Sequence, residues 1–289
     1  MWLKIFIVVL GIIIVGLICV VHISKLRLDI VNAGFVNELL TNVSTQSCQI
    51  FSKADLLGLP ASVQKYFTHV LSEGQPHIQT IRLQQSGDFR LGDMKAPWKQ
   101  LNARQYFTVN PSGFIWDAMI KANPLVHVRV VDMFMAGEGS LCAKILSCIP
   151  VVDAKPNPEM NSAELMRYLA EAVWFPTALL PTGGVDWTPI DEQSAKATLE
   201  HCGTTVSLMF YFNSRNEVER VFAEDRYREV DGLFEPTPWT GHFSNYQVRN
   251  DMLIPIDAEV EWNLPEGDLI YWRGHLEKIE HQWDQSDGL

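Results

Sequence analysis

The stretch PIDAEVEWNL, residues 255–264, decides the fold class of this chain. Apolar and acidic side chains alternate along it: Ile256, Ala258, Val260 and Trp262 are apolar, and Asp257, Glu259 and Glu261 are acidic. A period of two places alternate side chains on opposite faces of a strand. The stretch therefore predicts a β-strand in a sheet that has one covered face and one wet face.

The same period recurs along most of the chain. QTIRLQQSGDFRL, residues 79–91, has one wholly polar face and one largely apolar face, to which Gln85 belongs. Further strands are predicted at 98–108, 113–122, 125–135, 138–146, 194–202, 204–213, 217–228, 240–249, 253–263 and 268–282. Because strands do not alternate with helices, the pattern argues against a doubly wound nucleotide-binding sheet. About eleven strands predict a mainly β fold, in which a large antiparallel sheet curls into a half-barrel and is covered by a few helices.

Two amphipathic helices, predicted at 60–73 and 162–174, are available to cover the apolar face. The second lies almost wholly within AELMRYLAEAVWFPTALLP, residues 163–181, and its apolar stripe includes Leu165 and Leu169. A charged row on its opposite side consists of Glu164, Arg167 and Glu171. We expect this helix to be a lid over a ligand, with the stripe inward and the charged row outward. Ordinary core packing is the alternative.

The end of this helix is marked by Pro176, which cannot continue a regular helix. Trp174 and Phe175 precede it directly. We expect both rings to lie at the rim of the covered face, where the chain turns.

The N-terminus is apolar for the length that a bilayer requires, roughly 20 residues. WLKIFIVVLGIIIVGLICVVHI, residues 2–23, carries one charge, Lys4, and no small-x-small cleavage site follows it. We predict an uncleaved single-pass transmembrane anchor at 1–23, a membrane-proximal connector with one short helix at 24–50, and a single β-rich domain at 51–289. Positive charges are nearly balanced on the two sides of the anchor. We expect the domain to be extracytoplasmic, as is common for N-terminal anchors.

Charge and cysteine content exclude some classes of protein. The formal net charge of −11 is unsuited to a protein that binds nucleic acid through its phosphates, so nucleic acid is not an expected partner. Cys142 and Cys148 lie six residues apart in a predicted strand, about 20 Å, too far for a disulfide. The five cysteines show no disulfide framework, and pairing among them stays open.

Catalytic and metal-binding signatures are absent from the sequence. No GxSxG, GxxxxGK[ST], HExxH or CxxC motif occurs, and the eight histidines are scattered. The sequence therefore predicts no cofactor, no metal site and no catalytic residue.

Three polar groupings interrupt otherwise apolar strands: GFIWDAMI at 113–120, VHVRVVDMFMAGEG at 126–139 and AEDRYREV at 223–230. One interpretation is ion pairing that fixes the register of the strands. The other is that a few polar side chains enter an apolar cavity and orient a ligand there. The candidate ligand-binding residues are Trp116, Asp117, Arg129, Leu165, Arg167, Leu169, Glu171, Trp174, Phe175, Asp225 and Arg226.

Several motifs carry a resemblance to a known family. They are GFIWDA, RYLAEAVWFPTALLP, DRYRE, PWTGHFSNY, LIPIDAEVEWNLPEG and YWRGHLEKI. With them the chain resembles, from about Leu59 to Ile279, a family of uncharacterised, mostly bacterial membrane-anchored proteins catalogued as a domain of unknown function (of the DUF6544 and DUF6920 kind). In strand count and helix insertion it is also similar, more loosely, to the half-barrel lipoprotein carriers of the bacterial periplasm. That similarity implies a concave face that holds acyl chains under a helical lid.

These observations lead to one functional expectation and two alternatives. We expect a membrane-tethered domain that binds a lipid-like or amphiphilic ligand in the concave face of the half-barrel. The first alternative is a hydrolase or transferase acting on a lipid or glycan head group, with Asp117, Glu171 or Asp225 as acid or base. The second is a non-enzymatic envelope protein that binds a protein partner.

Overall fold

The computed structural model describes residues 1–43 and 49–283. Its three α-helices are α1 Trp2–Thr41, α2 Ala61–Val70 and α3 Pro158–Glu171. Its thirteen strands are β1 Thr80–Arg90, β2 Trp98–Thr108, β3 Gly113–Asn123, β4 Val126–Met135, β5 Glu138–Ile145, β6 Ile149–Ala154, β7 Val185–Pro189, β8 Ser194–His201, β9 Thr204–Phe212, β10 Val218–Val230, β11 Leu233–Arg249, β12 Met252–Leu264 and β13 Gly267–Gln282. Short 3-10 helices occur at Lys53–Leu56, Ala172–Trp174, Pro176–Leu179 and Pro181–Gly183.

All thirteen strands form one curled antiparallel sheet, which confirms the predicted half-barrel. The order is β6-β5-β4-β3-β2-β1-β13-β12-β11-β10-β9-β8-β7, so consecutive strands pair except for β6 and β7, and the first strand, β1, pairs with the last, β13. The eleven predicted strands are all present. The two additional strands, β6 and β7, are the two edges of the sheet. They are short, each contains a proline, and five of the six residues of β6 are exposed, so neither shows an alternating pattern.

Helices α2 and α3 cover the concave face. Helix α2 closes one end, where the ring of Tyr66 packs 5.5 Å from that of Phe212. Helix α3 lies between the two curled halves of the sheet and contacts β4 and β5 on one side and β9 and β10 on the other. The apolar stripe of α3 faces the core as predicted, since Leu165 and Leu169 are both fully buried.

Two expectations about α3 are wrong. The charged row does not face solvent: Glu164 is buried, and Arg167 and Glu171 keep only 16% and 13% of their side-chain surface exposed. Because the sheet curls around α3 on both sides, the helix has no free outer face. Trp174 and Phe175 are likewise buried instead of lying at the rim.

Helix α1 is longer than predicted. The segment expected to be a connector with one short helix continues α1 without a break as far as Thr41. The second half of α1 packs on the convex face of the sheet, where Leu39, Ile115 and Val131 form a small separate core. Four cysteines, Cys19, Cys142, Cys148 and Cys202, are free thiols, and the remaining cysteine lies outside the described residues.

A candidate site beneath the covering helix

A cluster of five charged side chains lies between α3 and the concave face of the sheet. It consists of Asp132 from β4, Arg226 from β10, and Glu164, Arg167 and Glu171 from α3. We call it the interior cluster. Glu164, Arg167 and Glu171 come together because residues three and four positions apart share one side of an α-helix. Buried ions of this kind must be paired, since an isolated buried charge costs several kcal/mol.

Arg167 is the centre of the interior cluster. Its guanidinium pairs with the carboxylate of Asp132, and its Nε donates to Glu171 Oε1 at 3.0 Å. The same guanidinium lies 5.0 Å from the ring centres of both Phe114 and Trp116. Such a position over two rings, with two carboxylates around it, fixes the Arg167 side chain in one orientation.

Arg226 enters the interior because of a β-bulge. The pairing of β10 with β11 shifts between Ala223 and Arg226, so Asp225 stays on the exposed bulge while Arg226 turns inward. Its Nη2 donates to the carbonyl oxygen of Ala163 at 3.3 Å and lies 3.7 Å from Glu164 Oε1. Regular alternation would instead put residue 225 on the side of Ala223.

Aromatic side chains form a wall beside Arg226. Its guanidinium lies 5.1 Å from the ring centre of Trp239 and 5.3 Å from that of Trp262. Tyr271 stacks on Trp262 with ring centres 5.9 Å apart, and its hydroxyl accepts a hydrogen bond from Trp239 Nε1 at 3.0 Å. We call Trp239, Trp262 and Tyr271 the aromatic wall. A second bulge occurs where β12 pairs with β13, since the register shifts between Val260 and Glu261. It lets Tyr271 of β13 face inward next to Trp272.

Burial changes the titration of the acids in the interior cluster. Burial, and then the charge of Asp132, raise the pKa of Glu164 to about 8 although Arg226 and Arg167 oppose the shift. Burial also raises the pKa of Glu171, against the opposing effect of Arg167. With Glu164 protonated, the cluster has one carboxylate fewer to place beside its two guanidinium groups. The Glu164 proton can then form a hydrogen bond between Glu164 and Asp132.

Several buried polar atoms around the cluster have no hydrogen-bond partner among the described residues. A hydrogen bond through the Glu164 proton would satisfy Glu164 and Asp132. The atoms that stay unpaired are Gln85 Nε2, Gln105 Oε1 and Arg226 Nε. The two glutamines use their other atoms: Gln85 Oε1 accepts from Trp116 Nε1 at 3.0 Å, and Gln105 Nε2 donates to Glu171 Oε2 at 2.7 Å. An unpaired buried polar atom costs about 1–3 kcal/mol. Donors and an acceptor are therefore available to a polar group that enters the interior.

The structure divides the predicted site residues into separate groups. Trp116, Arg167, Glu171 and Arg226 meet at the interior cluster. Leu165, Leu169, Trp174 and Phe175 belong to the core next to it. Asp117, Arg129 and Asp225 lie elsewhere, which corrects the expectation that they enter the same cavity.

The reason is strand parity. Asp117 and Arg129 lie diagonally to each other on adjacent strands and have the opposite parity to Trp116 and Asp132, so they project from the convex face and pair with each other. There Arg129 Nη1 also lies 2.9 Å from Oδ1 of Asp29 in α1.

Sequence reasoning left out Asp132, Glu164, Gln85, Gln105 and Tyr271 as site residues. Gln85 gave a usable signal, because it is a polar residue at an apolar position of an alternating strand. Tyr271 gave none, since only the bulge in the pairing of β12 with β13 turns it inward.

A cavity of about 270 Å³ lies away from the interior cluster, beside the turn between β2 and β3. Its walls include His77, Thr177 and His201, and none of the predicted site residues. Among the described residues, no group of three or more His, Cys, Asp or Glu side chains is arranged to hold a metal ion.

Comparisons with known proteins bear on fold and family. No curated protein matches the sequence. Among solved structures, the chain is similar to a LolA superfamily protein from Nitrosomonas europaea, with 11% identity, a TM-score of 0.41, and coverage of 79% of this chain and 96% of that chain. It is also similar to a DUF1329 family protein from Desulfovibrio piger, with 10% identity, a TM-score of 0.41, and coverage of 78% and 92%. The sequence model of a family of unknown function, DUF6920, matches residues 57–281, and the chain therefore belongs to that family, as its motifs predicted.

Proposed function

We propose that the protein binds an amphiphilic, lipid-like ligand in the concave interior of its half-barrel, beside the membrane that α1 crosses. The observation that carries the proposal is the set of unpaired buried polar atoms, Gln85 Nε2, Gln105 Oε1 and Arg226 Nε, which lie at the interior cluster and next to the apolar core. Ligand sites typically combine apolar walls with a few polar groups that orient the ligand. A polar head at the interior cluster and a chain among the apolar side chains would use both.

The first half of α1 supports the membrane attachment in this proposal. The helix is long and apolar enough to cross a bilayer, and none of its most apolar part is buried against the rest of the protein. A tethered domain would take its ligand from its own membrane, and this favours lipid as the source.

Helix α3 must move for a ligand to enter, because it fills the interior in this closed form. Its charged row makes such a movement less costly than for an apolar helix. Glu164, Arg167 and Glu171 lose hydration when α3 is seated and regain it when α3 lifts away. On this proposal α3 is a lid whose charges face the ligand.

The test is native mass spectrometry of the full chain purified in mild detergent, combined with extraction and identification of bound lipid. Arg226→Met keeps a long side chain but removes the guanidinium that faces the interior. Arg104→Met is the matched control, since Arg104 is 60% exposed on the convex face. We expect a lipid adduct that Arg226→Met loses and Arg104→Met keeps. Equal adducts on both variants would place the lipid outside the half-barrel and reject the proposal.

A second candidate is acid-base chemistry on a lipid or glycan head group. The acids expected for it are dispersed, because Asp117 faces the convex side and Asp225 is exposed. Asp132 and Glu164 converge instead, and burial raises the pKa of Glu164 to about 8. A buried acid that keeps its proton at neutral pH beside a second carboxyl group is the arrangement of a general acid and its partner. Incubating the full chain with the extracted lipid tests it: hydrolysis that Glu164→Gln abolishes is the supporting result, and unchanged lipid rejects it.

A further inference from the structure

The way α1 docks on the sheet fixes the orientation of the half-barrel relative to the membrane. Two contacts define the docking. A methyl group placed on Gly113 would lie 2.8 Å from Leu39 Cδ1 and 3.0 Å from the carbonyl oxygen of Phe134. At the other contact, Arg129 Nη1 lies 2.9 Å from Asp29 Oδ1.

These two contacts show that α1 runs nearly along β4. From Leu39 to Asp29 the helix covers about 15 Å, at 1.5 Å per residue. From Phe134 to Arg129 the strand covers about 17 Å, at about 3.3 Å per residue. Because the two lengths nearly agree, moving along α1 towards its N-terminus means moving along β4 towards its start at Val126.

A third interaction indicates the same direction of α1 along β4. Burial, and then the charges of Lys25 and Arg129, lower the pKa of His127. Lys25 is therefore near His127. Compared with the Asp29–Arg129 pair, these two residues lie nearer to the membrane end of α1 and to the start of β4.

The turn between β3 and β4 consequently lies at the level of the apolar run. Leu125, at the tip of this turn, is four residues beyond Arg129, about 13 Å along the strand. The same distance along α1 is about nine residues. Starting from Asp29, this reaches the level of Val20, before the apolar run ends at Ile23.

Other turns lie at the same end of the sheet, because its strands are antiparallel. The pairing of Leu101 with Ile120 places the β1–β2 turn beside the β3–β4 turn. The pairing of Val128 with Ile145 places the β5–β6 turn on its other side. Exposed apolar side chains at the turns of this end, including the β10–β11 turn, are Leu91, Met94, Leu125, Ile149 and Leu233. We call these five residues the hairpin rim.

Exposure alone does not distinguish the hairpin rim. Apolar side chains are exposed at the other end as well, for example Leu57 and Val248. The direction of α1 makes the difference, since it brings only the rim end to the level of the bilayer. Leu125, which is 88% exposed, is then the side chain with the most apolar surface to gain from contact with lipid.

We propose that the hairpin rim rests on the bilayer that α1 crosses, so that the end of the half-barrel opposite α2 faces the lipid. This inference rests on the proposed function and deepens it, because it gives the ligand a route. The turn at 230–233 is four residues from Arg226, and the turn at 264–267 is two residues from Trp262. A lipid that enters between these turns meets the aromatic wall first and the interior cluster next, without crossing water.

The test is photo-crosslinking of the full chain in vesicles of phosphatidylcholine and phosphatidylglycerol. A benzophenone amino acid replaces Leu125, Val248 or Val9, one at a time. Val248 is the matched control at the opposite end, with 64% exposure, and Val9 reports on the anchor. All three side chains are exposed, so the fold should not change. Mass spectrometry then measures lipid attached to each position.

We expect lipid adducts at Val9 and Leu125, with at least a tenfold smaller yield at Val248. Adducts at Val9 but equal yields at Leu125 and Val248 would overturn the rim contact while the anchor stands. No adduct at Val9 would overturn the anchor and the rim contact together. Adducts at Leu125 combined with an empty interior in native mass spectrometry would keep the rim contact and reject the proposed ligand site.

Discussion

Arg129 Nη1 lies 2.9 Å from Asp29 Oδ1, and this pair joins the N-terminal helix to the convex face of the half-barrel. Arg129 also makes a two-pronged contact with the carboxylate of Asp117, and both of these side chains are buried. The helix that leaves the apolar run is thus held to the sheet by charge as well as by apolar packing.

We expect Arg129→Met to lower the free energy of unfolding by about 3 kcal/mol, because it leaves the buried carboxylate of Asp117 with only the exposed Arg104 nearby. Replacing both partners, Arg129→Met with Asp117→Leu, should recover most of the loss, since apolar side chains of similar size can replace a buried ion pair. Urea denaturation followed by tryptophan fluorescence measures both. A cost below 1 kcal/mol for the single variant would show that water reaches this pair.

A second prediction concerns the pH dependence of stability. The folded protein holds the pKa of Glu164 at about 8, above the ordinary value of 4.5. Between these two values the unfolded chain ionises while the folded chain keeps its proton, so stability falls as pH rises through this window. Each pH unit contributes at most about 1.4 kcal/mol.

Glu164→Gln removes this titration and should flatten the dependence. We expect the free energy of unfolding of the variant, relative to the native protein, to rise between pH 5 and pH 8. Urea denaturation at four pH values measures it, with Glu235→Gln at an exposed position as the control. Parallel curves for Glu164→Gln and the native protein would mean that the carboxyl group is ionised in the folded state.

How far the sequence predicts this structure depends on whether a side chain obeys regular periodicity. Strands of regular alternation, such as the one containing Val260 and Trp262, were located correctly, because burial of one face dictates the pattern. Arg226 was a candidate site residue, but the way in which it turns inward was not predictable. It depends on a bulge, and nothing in the local pattern of β10 marks where the pairing shifts.

The charged row of α3 shows the same limit at the tertiary level. An amphipathic pattern predicts a polar side facing water, and this holds when a helix lies on an open sheet. Here the sheet curls past α3 on both sides, so Glu164 and Arg167 meet Asp132 and Arg226 instead of solvent. Curvature is a property of all thirteen strands together, and periodicity within one segment does not contain it.

A third prediction concerns Gly274, where the ring of Trp272 lies close to the backbone. A methyl group placed on Gly274 would lie 2.1 Å from Cη2 of the Trp272 ring. Gly274→Ala should therefore displace the ring and lower the free energy of unfolding by about 1–3 kcal/mol. Gly34→Ala is the control: nothing lies within 4 Å there, and alanine should stabilise the helix by up to about 1 kcal/mol. Thermal unfolding followed by near-ultraviolet circular dichroism separates the two outcomes. A neutral Gly274→Ala would indicate that Trp272 is free to move.

The last prediction concerns the side of the membrane that the domain faces, which we expect to be extracytoplasmic. The N-terminal side of the apolar run carries Lys4 and the terminal amine, and the other side carries Lys25 and Arg27. Because positive charge favours the cytoplasmic side, this near balance leaves the orientation easy to shift. Replacing Lys25 and Arg27 by glutamine should hold the domain outside, whereas Lys4→Gln should move part of the population inside. Protease treatment of intact bacterial spheroplasts measures the exposed fraction, with a cytoplasmic protein as the control for lysis. If the native domain is protected from protease and the double variant, Lys25→Gln with Arg27→Gln, is cleaved, the domain normally faces the cytoplasm. The hairpin rim would then contact the inner leaflet of the bilayer.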